Sequence, residues 1–93
     1  MTREILALAL ESEGLQAGNQ GYAVPENREA TVLVASPGDL FPIERVSRVE
    51  LREKLVVLEN AKHERFYFAY ESVLGLRLVA SAAARDRAAG FGR

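Results

Sequence analysis

The chain has no cysteine and no tryptophan, and only one histidine and one methionine among its 93 residues. Without cysteine there is no disulfide framework, no thiolate nucleophile and no cysteine-ligated zinc, a pattern that fits a reducing compartment. A single histidine, His63, leaves metal chemistry little to work with, so neither a metal nor another cofactor is expected. Long hydrophobic runs are missing too. The apolar stretch nearest the N-terminus, Ile5 to Leu10, is about six residues, follows Arg3 and Glu4, and is too short for a signal peptide or a spanning helix. A soluble, cytoplasmic chain with no membrane partner is the expectation. HExxH, EF-hand, phosphate-loop and G-x-S-x-G patterns are absent, and the glutamates lack the paired placement that acid/base chemistry needs. His63 lies between Lys62 and Glu64 in a polar turn and reads as a solvated residue. No catalytic residue is assigned.

What is present describes a small globular domain. An apolar content of 48% with 27% charged residues suits a chain that buries one modest core, and 93 residues make one domain. Net charge is −1 but unevenly placed. Residues 1–44 hold two basic and seven acidic side chains, whereas residues 45–93 hold ten basic and six acidic ones. Such asymmetry suits internal complementarity, contact between copies, a mildly basic face, or two solvated halves that merely differ.

Thr2 caps a helix of strong formers that runs to about Glu13 and stops at Gly14, although Leu6, Leu8 and Leu10 also alternate as in a strand. Residues 14–29, rich in glycine and amides, read as a flexible loop. Ala30 to Ser36 is a β-branched strand ended by Pro37-Gly38-Asp39. The centre of the fold is Arg45 to Tyr70: strands around Val46–Leu51, Leu55–Glu59 and Arg65–Tyr70, joined by polar turns at Arg52–Lys54 and Asn60–Glu64. Four of the seven aromatics fall within Phe66–Tyr70, where alternation sends Phe66, Phe68 and Tyr70 one way and Arg65 and Tyr67 the other. Glu71 to about Ala89 reads as a closing helix capped by Ser72. The alternation Leu76-Arg77-Leu78 leaves open a further strand over Val73–Ala80, and residues 90–93 read as a mobile tail. The fold class implied is α+β: a three- or four-stranded, mainly antiparallel sheet with an N-terminal and a C-terminal helix.

From Phe41 to Val79, the order of Pro42-Ile43-Glu44-Arg45-Val46, a charged strand, a hairpin, an aromatic strand and Glu71-Ser72-Val73-Leu74 leading into a helix loosely resembles two families. These are the LytTR-type DNA-binding domain and the small bacterial pleckstrin-homology-like module. The likeness spans under half the chain and departs from the DNA-binding family in charge and in its hairpin loops. No site residue is carried over from either.

The candidate partner-binding residues are Arg48, Arg52, Arg65 and Tyr67 on the charged side of the strand–turn segment, with Val56 and Leu58 from a ribbon that is apolar on both sides. Two short helices cover little more than one side of that ribbon, so a homo-oligomer or a protein partner is expected over the other. The function implied is a non-enzymatic interaction or oligomeric scaffold module. The alternative is a small nucleic-acid-binding domain using the arginines. Interleaved Glu44, Glu50, Glu53, Glu59 and Glu64 favour cross-strand ion pairs over a phosphate track.

Overall fold

The structure, a computed structural model, describes residues 1–81. The chain opens with helix α1, Arg3–Ser12. Thr2 is its N-cap: the backbone there is extended, and the Thr2 hydroxyl accepts the Ile5 N–H at 3.2 Å. The helix ends in a Schellman motif. Leu15 N–H bonds Leu10 C=O at 3.1 Å and Gly14 N–H bonds Glu11 C=O at 2.9 Å, with Gly14 at φ 85° and both Leu10 and Leu15 buried.

Seven strands follow: β1 Ala17–Gly18, β2 Gly21–Ala23, β3 Arg28–Ser36, β4 Asp39–Leu51, β5 Val56–Asn60, β6 Arg65–Phe68 and β7 Val73–Ala80, the last preceded by a 3-10 turn at Tyr70–Ser72. All pairings are antiparallel. The thirteen-residue β4 serves three partners. Val46 lies between Ala30 of β3 and Asn60 of β5, while Val49 lies between Tyr22 of β2 and Leu58 of β5. Hence β2 and β3 share one edge of β4, interrupted at Val24–Asn27, and β5 takes the other. Register shifts at Ala30/Val32 and Val46/Arg48, with Arg45 at φ 54°, bend β4 at this branch.

The main path runs β6–β5–β4–β3–β7. Its end strands are joined by only Ala69 to Ser72, so the sheet curls and brings the Phe68 end of β6 near the Val73 end of β7, with no pairing between these two strands among the described residues. Helix α1 is packed against the concave face: Leu6 and Leu10 form one buried cluster with Val32, Val34, Val46, Val49, Val56, Leu58 and Val73. The N-terminal ammonium donates to the carbonyls of Tyr70, at 3.0 Å, and Val73, tying the start of the helix to the link between the end strands.

Three expectations are corrected. The sheet has seven strands rather than three or four. The predicted closing helix over Glu71–Ala89 is, through Ala80, the 3-10 turn and β7, the strand over Val73–Ala80 that the Leu76-Arg77-Leu78 alternation left open; residues 82–89 lie outside the described residues, as does the tail at 90–93. The reason is that β3 has a second edge to satisfy, and Leu76 and Leu78 alternate inward opposite Val32 and Ala30. The helix entry at Glu71–Leu74 on which both loose resemblances drew is instead a 3-10 turn leading into a strand. Thirdly, the expected loop at 14–29 carries β1 and β2 and the start of β3.

Among the glycines of the described residues, Gly21 is the most closely packed. It sits at φ 94°, and a Cβ there would lie 2.5 Å from the Val49 carbonyl oxygen, whereas at Gly14, also left-handed, a Cβ meets open space. Urea denaturation should therefore show Gly21→Ala losing about 3 kcal/mol or more and Gly14→Ala only about 1 kcal/mol. Equal losses would contradict the packing of β2 against β4.

Candidate interaction surface

Period-two alternation divides the β4–β5–β6 ribbon into two faces. On the concave side, Val56 and Leu58 are fully buried and Phe66 and Phe68 pack partly buried against the same core. On the convex side two cross-strand rows form. One is Arg48–Glu59–Arg65 and the other Glu50–Val57–Tyr67. The register shift at Val46/Arg48 makes this division possible, because it lets Val46 and Val49, three residues apart, both point inward while Arg48 and Glu50 point out.

Glu59 is the hub of the convex face. Its side chain is only 11% exposed, and its carboxylate takes the Arg48 guanidinium at 2.6 Å, Arg65 Nε at 3.5 Å and His63 Nδ1 at 3.2 Å. The hydrogen bonds from Arg48 and His63 hold its pKa below the ordinary glutamate value, against the opposing effect of burial. Arg48 also donates to Gln20 in the β1–β2 turn. In the second row Arg52 donates to Glu50 at 2.7 Å, and its guanidinium carbon lies 5.8 Å from the centroid of the Tyr67 ring. The Tyr70 hydroxyl in turn donates to the Arg52 carbonyl, fixing the backbone that presents this arginine. Val57 is closed off between Glu50 and Tyr67 and is 4% exposed.

His63 sits in the β5–β6 turn at φ 65°, with its ring 85% exposed, so it is at the surface as read from the sequence while reaching Glu59. The turn is held by Asn60 Oδ1, which accepts the N–H groups of Lys62 at 3.0 Å and Glu64 at 2.9 Å.

Four of the six predicted partner-binding residues, Arg48, Arg52, Arg65 and Tyr67, are thus brought together on one face. The other two are not: Val56 and Leu58 lie on the opposite face, under α1, where nothing outside the chain touches them without unfolding. The ribbon's apolar sides are covered by the chain itself, Val57 by its lateral neighbours and Val56 and Leu58 by the helix. The physical ground on which an oligomer was expected there is therefore removed. Glu59 was the residue that sequence reasoning missed as an organiser; the alternation Val57–Glu59 with Arg65 and Tyr67 was the available signal.

Shallow cavities also lie elsewhere among the described residues. One, of about 420 Å³, opens at the bend of β4 beside Val24, Arg45, Ser47 and Ala61. Another, of about 500 Å³, lies between α1 and the β1–β2 turn beside Ala7, Asn19 and Tyr22. Near it, the buried Tyr22 hydroxyl donates to Glu11 at 2.9 Å, and burial together with that carboxylate raises its pKa. Among the described residues no helix is long and apolar enough to cross a membrane.

Compared with known proteins, the chain matches no family model, no curated protein and no solved structure.

Because the folded-state pKa of Glu59 is depressed, its contribution to stability is present above the unfolded glutamate value of about 4.3 and is lost as pH falls through its own lower value. Urea unfolding of the wild type and Glu59→Gln should accordingly differ at neutral pH and converge as pH drops below about 4. A difference that stayed constant with pH would show that the Arg48–Glu59–Arg65 row contributes no charge interaction.

Proposed function

We propose that the chain is a non-enzymatic protein-interaction module whose contact face is the convex side of β4, β5 and β6. The observation that carries this reading is Tyr67: the residue is 53% exposed, has Arg52 and Arg65 beside it, and stands on β6, the outer strand of a hydrogen-bonded three-strand platform. Tyrosine and arginine are enriched among interface hot spots, tyrosine because it offers a large contact area with only two torsions to freeze and arginine because its planar guanidinium presents several donors at once. The platform is prepared before binding. Arg48, Arg52 and Arg65 are already oriented by Glu50 and Glu59, so a partner meets fixed donors rather than mobile side chains.

The alternative, nucleic-acid binding by the same arginines, has in its favour three guanidinium groups and an exposed aromatic ring on one face. Against it, Glu50 and Glu59 neutralise two of the three charges, which leaves little to replace condensed counterions. Random oligonucleotides followed by fluorescence anisotropy should show at most weak binding with a shallow salt dependence, and a steep slope would favour the alternative.

For the proposed reading, the purified chain serves as bait in extract of its host, with Tyr67→Ser and Arg65→Glu as paired baits. A partner retained by the wild type should bind both variants at least about tenfold more weakly, as for a central hot spot. Thermal melts would confirm that the two baits remain folded. Equal retention by all three would remove the convex face from the account.

A further inference from the structure

The sheet curls, and the link between its end strands is tied down by the N-terminal ammonium on the Tyr70 and Val73 carbonyls and by the Tyr70 hydroxyl on the Arg52 carbonyl. Beyond that point β7 pairs with β3 on one side, and from Leu74 to Val79 its other edge pairs with no strand among the described residues. The inner face shows the same deficit. Val32 and Ala30 are sealed at 0% and 1% exposure, whereas Leu76 and Leu78, opposite them on β7, are only partly buried; Leu74, the extra residue at the register shift between Gly75 and Val73, is 55% exposed. Edge strands are normally guarded by lysine, proline or inward charge, and from Leu74 to Val79 this one has a single charged side chain, Arg77, which points outward.

We propose that this edge is completed by a second copy of the chain, β7 pairing antiparallel with its counterpart about a two-fold axis at Leu76, so that the two sheets become continuous. The occupant is argued from the strand's own pattern. Leu74-Gly75-Leu76-Arg77-Leu78 is self-complementary about its centre: Leu76 meets Leu76, Leu74 meets Leu78, and Arg77 meets Gly75. That register gives each Arg77 an empty position to cross, because Gly75 has no side chain. Shifting the axis to Arg77 sets two guanidinium groups face to face, which disfavours it. The paired segment also stops short of Val73, whose carbonyl is held by the N-terminus. The pairing is independent of the convex face, which lies on β4 to β6.

The absence of cysteine permits a register-specific test. Leu76→Cys places two thiols directly opposite each other, at a Cα separation of about 5 Å that suits a disulfide, whereas Leu78→Cys leaves its two thiols about 13 Å apart along the strand. Under mild oxidation the first variant should give a covalent dimer and the second should not, and the wild type should sediment as a dimer in equilibrium with monomer. Charge supplies a second readout that leaves the core alone, since a Cβ at Gly75 meets only the Leu33 side chain at 3.4 Å. Gly75→Arg should weaken the dimer about fivefold and Gly75→Glu, facing Arg77, should tighten it. A wild type that is monomeric at several hundred micromolar overturns the proposal. A dimer that is indifferent to charge at position 75 and cross-links equally at 76 and 78 also overturns it. Neither result touches the convex-face reading, which is judged by the Tyr67 and Arg65 baits.

Discussion

The pairing of β4 on both of its edges is the constraint from which the remaining architecture follows. Thirteen residues of one strand hold β2 and β3 on one side and β5 on the other, so the two wings of the sheet have no independent existence. A strand that long, shared that way, must bend if the wings are to wrap a core. The bend is supplied by two register shifts and by Arg45 in the left-handed region, all within a few residues of the branch. Once β4 bends, β6 and β7 are brought close enough for a four-residue link, and the concave space that results is of a size for one amphipathic helix. Leu6 and Leu10 fill it.

The same bend organises the surface. Moving the register by one residue at Val46/Arg48 keeps the valines inward and turns Arg48 and Glu50 outward, where they meet Glu59, Arg65 and Tyr67 across the strands. Burial of Glu59 is tolerated because three partners satisfy it. A carboxylate so surrounded orients its arginines as much as they hold it, which yields a charged but nearly neutral face with one aromatic ring standing clear. Core and contact face are therefore two sides of one ribbon, fixed by one irregularity.

Much of this could be read from residue order where local chemistry decides the outcome. The Thr2 cap, the Gly14 stop, the strand ending at Pro37-Gly38, the Asn60 turn and the outward placement of Arg65 and Tyr67 all depend on interactions within a few residues. What escaped depends on partners distant in the chain. Leu74 to Ala80 has the apolar content of a helix and, at Leu76-Arg77-Leu78, the alternation of a strand, and the unfilled edge of β3, some forty residues earlier, decides for the strand. Ala17–Ala23 is glycine-rich and turn-like by itself, and becomes a hairpin because β4 offers an edge to it. Val56 and Leu58 were assigned to a partner surface because two short helices cover little more than one side of a ribbon that is apolar on both. A seven-stranded curl with one helix inside covers them without help.

If β4 joins both wings into one cooperative unit, the amides of β3 and β5 that bond to it must open together. Native-state hydrogen exchange measured residue by residue tests this most directly. The account predicts a single opening free energy for the slowest amides of β3, β4 and β5, equal to that of global unfolding. Two separate values, with the β5–β6 hairpin opening while β3 and β4 stay protected, would contradict it.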